Sequence, residues 1–223
     1  MYRFERKYVI PHFLKSDINC IIKSSPFSCR NIHSPRQVNN IYFDSLLMQK
    51  YYENINGDNK KSKYRIRWYG EQLRYVETLK LEIKIKHNQL GYKILYPLNS
   101  FDMRRGINNS DIYTLLNISN LPIDLIQKFK FLQPILLNSY HRRYYESFDR
   151  KVRITIDDDL NYISLLRNKL TRNSVSNNDS ILELKYNHEH NEYVSNLASY
   201  LPLKLTKYSK YITGIQNTIN ISD

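Results

Sequence analysis

Five segments of the chain place charged residues at alternating positions, with mostly apolar or aromatic residues between. They are Arg3-Phe4-Glu5-Arg6-Lys7-Tyr8, Lys63-Tyr64-Arg65-Ile66-Arg67-Trp68, Lys80-Leu81-Glu82-Ile83-Lys84-Ile85-Lys86, Val152-Arg153-Ile154-Thr155-Ile156-Asp157 and Ile181-Leu182-Glu183-Leu184-Lys185-Tyr186. Side chains alternate faces along a strand, so each segment predicts a strand with one ionic and one largely apolar face. Two geometries fit this pattern equally. The ionic faces meet water while the apolar faces cover a core. Alternatively, the strands close into a barrel packed from outside by helices, and the ionic faces line a tunnel that would trap a polyanion.

Between these segments the pattern predicts a first strand over Tyr2 to Ile10, ended by Pro11, and a second over Gln37 to Phe43. Asp44 is expected to cap a short helix holding Leu46, Leu47 and Tyr51, with Asn56-Gly57-Asp58 turning after it. Strands Lys63 to Tyr69 and Arg74 to Lys86 read as an antiparallel pair joined through Gly70-Glu71. Asp102 to Phe131 reads mainly as helix, with its best apolar spacing at Leu121, Leu125, Ile126, Phe129 and Leu132. Strands return at Leu136 to Ser147, Lys151 to Ile156 and Ser180 to Tyr186, while Asp157-Asp158-Asp159 reads as a strand end plus turn. Arg167 to Asp179, rich in Asn and Ser, reads as a mobile loop, and two short helical stretches split by Pro202 follow Glu192. Roughly eight strands with no strand-helix-strand rhythm predict an α+β domain with a mainly antiparallel sheet. A chain of 223 residues suits a single domain over 1–223, its C-terminal helices at about 190–220 packed at the tunnel if the strands close into one.

Composition narrows the partners. Lys and Arg number 34 against 21 Asp and Glu, a formal charge of +13 that concentrates anionic partners without choosing among them. The N-terminal segment is charged from Arg3 onward, unlike a signal peptide, and nowhere do about 18 apolar residues run together as a membrane span requires. The expectation is a cytoplasmic protein, able to dock peripherally on a membrane through its basic surface. Cys20 and Cys29 show no repeated metal-ligand spacing and read as reduced structural thiols. No recognised nucleic-acid motif is present, so no specific nucleic acid is expected.

With five Gly residues and neither GxxxxGK[ST] nor GxGxxG, phosphate binding cannot rest on a glycine-rich cradle of backbone amides. Lys and Arg side chains must carry it, and an Arg fork matches two phosphate oxygens at once. Arg65-x-Arg67 sets two forks on one strand face. Arg142 and Arg153 add forks, and Lys7, Lys84, Lys207 and Lys210 add ammonium groups, the last two spaced to share a helix face. Four of the five ionic faces also hold an acid, Glu5, Glu82, Asp157 or Glu183, and oxygen ligands suit Mg²⁺ or Mn²⁺. His188-x-His190 reads as an incidental pair in a polar loop.

Phe4-Glu5-Arg6-Lys7-Tyr8-Val9-Ile10, Tyr42-Phe43-Asp44, Lys63-Tyr64-Arg65-Ile66-Arg67, Leu81-Glu82-Ile83-Lys84, Tyr140-His141-Arg142, Val152-Arg153-Ile154-Thr155-Ile156-Asp157, Leu182-Glu183-Leu184-Lys185-Tyr186 and Lys207-Tyr208-Ser209-Lys210-Tyr211 follow one another in this order. Together they resemble the VTC domain, the polyphosphate polymerase branch of the triphosphate tunnel metalloenzymes, from Arg3 to about Gly214. The resemblance implies an eight-stranded, mainly antiparallel closed β-barrel with a charged interior and flanking helices. It places Lys7, Arg65, Arg67, Lys84, Arg142, Arg153, Lys207 and Lys210 on phosphate-binding positions and Glu183 on the metal position, with Lys93 matching a further basic residue. Hydrolytic members begin with E-x-E-x-K, whereas here Arg3 stands at the first Glu position. That replacement argues against a second metal on Glu5, which could instead orient Lys7 or Arg67, and it fits a polymerase-type member.

The implied activity is transfer of the γ-phosphoryl group of ATP, or another triphosphate, onto a growing inorganic polyphosphate chain. Lys84, Arg142, Arg153 and Glu183 would be the catalytic residues, with a divalent metal, Mn²⁺ or Mg²⁺, on Glu183 and with Glu5 as the second carboxylate. A membrane partner protein that takes the product is compatible with this. Two other classes remain: a metal-dependent triphosphatase or short-chain polyphosphatase, and a non-catalytic module that binds polyphosphate or inositol polyphosphates.

Overall fold

The structure is a computed structural model, and it describes residues 3–87, 90–105, 107–166 and 174–219. In chain order its elements are β1 (Arg3–Ile10), α1 (Ile18–Ser24), β2 (Arg30–Asp44), α2 (Gln49–Ile55), β3 (Lys60–Tyr69), β4 (Tyr75–Val76), β5 (Leu79–His87), β6 (Leu90–Leu98) and β7 (Phe101–Asp102). Then follow α3 (Asn109–Ile118), α4 (Ile123–Phe129), β8 (Gln133–Glu146), β9 (Val152–Ser164), β10 (Ser174–Asn177), β11 (Ser180–Asn187), α5 (Asn191–Ala198) and α6 (Lys210–Thr218). The fold is α+β. Its large sheet has the strand order β1-β11-β9-β8-β2-β3-β5-β6, with β10 beside β9, and β4 and β7 pair separately. The β1–β11, β11–β9, β2–β3, β3–β5 and β5–β6 pairings are antiparallel, as the absence of a strand-helix-strand rhythm predicts.

The chain divides into two compact units. The first comprises Met1–Gln37, Tyr140–Leu160 and Ser176–Ser209. Its core takes Tyr8 and Ile10 from β1, Val152, Ile154 and Ile156 from β9, and Leu182, Leu184 and Tyr186 from β11, covered by Ile18 and Ile22 of α1 and Val194 and Ala198 of α5. These are the apolar positions of three alternating segments, so their ionic residues take the opposite face. Arg6 is an exception to that division. It sits on the helix side, where its Nε donates to the Tyr186 hydroxyl at 2.6 Å and its Nη2 to Asn191 Oδ1 at 3.2 Å.

The second unit comprises Val38–Ser139, Asn161–Val175 and Lys210–Asp223. Its core packs Ile41 and Phe43 of β2, Tyr64, Ile66 and Trp68 of β3, and Leu79, Leu81 and Ile83 of β5 against Ile112, Leu115 and Leu116 of α3 and Leu125 and Phe129 of α4. In the same unit α6 buries Tyr211 and Ile215. Gly214 of α6 lies so near β8 and β9 that a Cβ built there would stand 2.5 Å from Leu136 Cδ2 and 2.6 Å from Tyr162 Cδ1.

Several elements differ from expectation for local reasons. β2 starts at Arg30, not Gln37, because its exposed first half carries no apolar alternation. β6, interrupted in pattern by Gly91 and Pro97, was not expected. The helical passage breaks into α3 and α4 where Asn120 turns at φ 49° and Pro122 starts anew. Leu46 and Leu47 lie before α2, exposed. Asp44 caps that turn and helix together, accepting from the backbone amides of Ser45, Lys50 and Tyr51 at 2.7, 2.8 and 2.9 Å. The strand expected from Arg74 is split into β4, which pairs with β7, and β5, which begins at Leu79 and pairs with β3, after a turn through Gly70 at φ 90°. Asp157-Asp158-Asp159 lies inside β9 and does not end it. Of the expected loop, 167–173 lie outside the described residues, and Ser174–Asn177 form β10. Lys210 starts α6 and Lys207 precedes it, so the two do not share a helix. Cys29 is buried, which pushes its thiol up to about 11, whereas Cys20 is exposed. Among the described residues no helix is long and apolar enough to cross a membrane.

Candidate functional site

In the second unit, Tyr64, Ile66 and Trp68 of β3 point into the core, which turns Lys63, Arg65 and Arg67 to the other face. Register completes that face. Arg65 stands opposite Glu82 of β5 and Tyr42 of β2, and Arg67 opposite Asn40. Glu82 is only 5% exposed, and it accepts from Arg65 Nε at 2.8 Å and Nη2 at 2.5 Å while Arg67 Nη1 lies 3.6 Å away. Burial alone would raise the Glu82 pKa, but the Arg65 and then the Arg67 guanidinium hold it down at about 2. Arg67 Nε also donates to Asn40 Oδ1 at 2.8 Å, and the Arg65 guanidinium lies 6.0 Å from the Tyr42 ring centre. Both forks are thereby fixed in direction.

One register step away, Lys84 faces Lys63 on β3 and Lys93 on β6. Like charges directly opposite on neighbouring strands repel. Three ammonium groups across three strands, next to two guanidinium groups and one buried carboxylate, make a face suited to a multiply charged anion.

The first unit builds a second charged face. Lys7 of β1 stands opposite Glu183 of β11, which stands opposite Thr155 of β9. Glu5, Lys185 and Arg153 form the adjacent row. Glu183 is 5% exposed, with Lys185 Nζ 3.3 Å and Arg142 Nη2 3.9 Å from its carboxylate. Lys185 Nζ is also 3.8 Å from Glu5, so one ammonium sits between two carboxylates. Burial and then the Arg142 charge lower the Lys185 pKa. Lys7 lies 3.9 Å from Glu5 and donates to the Tyr208 carbonyl at 3.1 Å.

Arg142 holds its fork on Asp157, donating from Nε at 2.5 Å and Nη2 at 2.7 Å, so it contributes charge more than an open fork. Asp157 raises the Arg142 pKa against the opposing effect of burial. Arg153, with a side chain 63% exposed, lies 3.5 Å from Glu146 at the edge of this face. Thr155 Oγ1 is buried and makes no hydrogen bond among the described residues. With Glu183 and Glu5 it offers oxygen donors from three adjacent strands, a set of the kind that Mg²⁺ or Mn²⁺ takes together with phosphate oxygens. Among the described residues no three His, Cys, Asp or Glu side chains gather as a metal site, so an ion here would need those phosphate oxygens.

Each expected site residue that belongs to a strand thus lies on one of two charged faces: Arg65, Arg67, Lys84 and Lys93 in the second unit, and Glu5, Lys7, Arg142, Arg153 and Glu183 in the first. Lys207 is exposed in the first unit, and Lys210 begins α6 in the second. Sequence reasoning missed Lys185, Thr155, Asn40 and Tyr42 as parts of these faces. Alternation marks the side of the strand for each, but only the strand register shows which charge each one meets.

The fold as a whole is similar to two solved structures. One is a candidate adenylate cyclase from Vibrio parahaemolyticus, at 10% identity and a TM-score of 0.54 over 96% of this chain and 98% of that one. The other is the PH1819 protein from Pyrococcus horikoshii, at 10% identity and a TM-score of 0.50 over 96% and 99%. At such identity the likeness concerns fold alone. No curated protein sequence matches the chain. The VTC domain model matches residues 2–219, the span that carries both charged faces, and the chain therefore belongs to the VTC domain family.

Proposed function

We propose that this domain is a polyphosphate polymerase, which transfers the γ-phosphoryl group of ATP onto the terminal phosphate of a growing polyphosphate chain. The observation that carries the reading is the row Lys63–Lys84–Lys93 beside Arg65 and Arg67, where cations face one another across three strands with Glu82 buried among them. Such a face gains most from an extended anion with several phosphates. Family membership adds the expectation of a closed barrel, and each charged face is of the kind that would line its tunnel.

In the reaction the bond from the γ-phosphorus to the β,γ-bridging oxygen breaks, and a bond to a terminal polyphosphate oxygen forms. ADP leaves with the bridging oxygen, and the chain grows by one phosphate. The transition state asks for in-line positioning and neutralised charge, with little covalent work from the protein. Arg65 and Arg67, aimed by Glu82 and Asn40, would hold phosphate oxygens in fixed directions. Lys7, Lys84, Lys207 and Lys210 would add positive charge, and Arg142 and Arg153 would offset charge that develops as the bond breaks. The attacking oxygen is already ionised near neutral pH, which fits the lack of a paired general base. Glu183, with Glu5 and the Thr155 hydroxyl beside it, would hold a divalent cation, which when bound supplies further charge neutralisation at the phosphates. Lys185 occupies the space between Glu5 and Glu183 and would limit the site to one such ion. ATP as donor implies a cytoplasmic reaction, peripheral at a membrane if a partner protein takes up the polymer.

The test is incubation with ATP and Mn²⁺ or Mg²⁺, with products resolved on a gel stained for polyphosphate and ADP and phosphate measured separately. Polymer with matching ADP and little early phosphate is the expected result. Phosphate released one for one with ADP, without polymer, would identify a hydrolase. Tight phosphate-chain binding with no turnover would identify a binding module.

A further inference from the structure

A second basic feature of the second unit lies outside the charged face. A cavity of about 190 Å³ opens where α2, the start of β3 and α4 approach one another, and Lys50, Lys60, Lys61 and Lys128 line it, with Glu53 the one acid among its lining residues. Glu53 is already engaged: Lys50 Nζ donates to it, and so does the Ser62 amide at 3.4 Å. Among the described residues Lys60, Lys61 and Lys128 make no ion pair. The Lys128 ammonium rests 5.1 Å from the centre of the Tyr64 ring, a buried ring that also lines the cavity. Three uncompensated ammonium groups at one concave spot raise the local concentration of anions.

The position of this notch relative to β3 suggests what it takes. Lys61, Lys63, Arg65 and Arg67 recur with the two-residue period of the strand, whereas Lys60, Ser62 and Tyr64 share the opposite, core-facing side, so the notch lies behind the charged face and meets it only at Lys61, at the start of β3. From Arg65 to Lys61 is four residues, roughly 13 Å along the strand. A short chain held at Arg65 and Arg67 does not need the notch, whereas a long chain that leaves the face past Lys61 and turns round the start of β3 meets it. We propose that the notch is a second anion subsite, which takes the distal phosphates of a long condensed-phosphate chain and not the donor nucleotide. This deepens the polymerase reading and rests on it for the identity of the chain.

The test uses the full chain with Lys60→Gln and Lys128→Gln combined, two exposed residues without ion pairs to described residues, and Lys128→Gln alone as the milder variant. Circular dichroism checks the fold of each. Binding of tripolyphosphate, of long-chain polyphosphate and of a single-stranded DNA oligonucleotide is measured across a range of salt. The expected result for the double variant is a loss of about tenfold in long-chain affinity and a salt slope smaller by roughly two, with tripolyphosphate changed by less than about twofold. The single variant should lie between. Equal losses for tripolyphosphate and long chain, or no loss for either, overturn the subsite. So does an equal loss for DNA and polyphosphate, which would mean a surface that attracts any polyanion. Failure of the polymerase reading is separable: wild type would make no polymer from ATP, yet a loss confined to long-chain polyphosphate would still support the subsite.

Discussion

Glu82 and Glu183 are both buried carboxylates on charged strand faces, yet their surroundings give them different work. Glu82 is clamped by Arg65 and Arg67 and aims them. Because its pKa of about 2 lies below the ordinary 4.5, its contribution to stability is full above about pH 4.5 and is lost as pH falls toward 2. The difference amounts to on the order of 3 kcal/mol. Denaturant melts of wild type and Glu82→Gln should therefore show the variant less stable at pH 5, with the gap closing toward pH 2. A gap that stays constant would mean that the carboxylate charge does not hold the arginines. Glu183 instead faces Lys185, Arg142 and the unpartnered hydroxyl of Thr155. Glu183→Gln should cut polymer formation by about 100-fold, on the order of 3 kcal/mol, while calorimetry finds tripolyphosphate binding weakened far less. Thr155→Val removes a buried hydroxyl that no described protein group satisfies, so without metal it should be neutral or stabilising by about 1 kcal/mol. The same change should weaken Mn²⁺ binding, read by electron paramagnetic resonance, if the hydroxyl serves the ion.

At the scale of elements, α6 is held in the second unit by close contacts. Gly214 lets its backbone approach Leu136 and Tyr162, and the Tyr211 hydroxyl donates to the buried Asp44 carboxylate that also caps α2. Burial and then the Asp44 charge raise the Tyr211 pKa, so the hydroxyl stays protonated as a donor throughout the neutral range. Gly214→Ala forces a methyl into space already filled and should cost about 1–3 kcal/mol, measured by chemical denaturation. Tyr211→Phe should cost about 1 to 3 kcal/mol, because it leaves a buried carboxylate short of one donor. If both changes were silent, α6 would not be held by these contacts.

For the molecule as a whole, a net charge of +13 and two charged faces predict that an anionic ligand stabilises the fold. At about 100-fold excess over its dissociation constant, tripolyphosphate would add about 2.7 kcal/mol by mass action. In a chain of this length that is a rise of roughly 5–10 °C in melting temperature. The rise should shrink as salt increases, and adenosine should produce none. Equal shifts from adenosine and tripolyphosphate would mean that the protein reads the base and not the phosphates.

The two-residue alternation of charge let the sequence alone say which side chains share a strand face, because that periodicity is a property of each strand by itself. So Arg65 and Arg67, or Glu183 and Lys185, could be grouped before any pairing was known, and the apolar partners Tyr64, Ile66, Leu182 and Leu184 could be assigned to cores. Local chemistry failed where the pattern thins, as in the exposed half of β2, in β6 and in the aspartate run inside β9. Which charge meets which was decided only by register, since the hydrogen bonds that set it join residues far apart in sequence. Glu82 lies 17 residues from Arg65 and became its clamp, and Arg142 lost its fork to Asp157, 15 residues away. Lys185 came to stand between Glu5 and Glu183 because β11 pairs with β1, the first strand of the chain. The alternation supplied the charges, and long-range pairing turned them into a site with a direction and a balance.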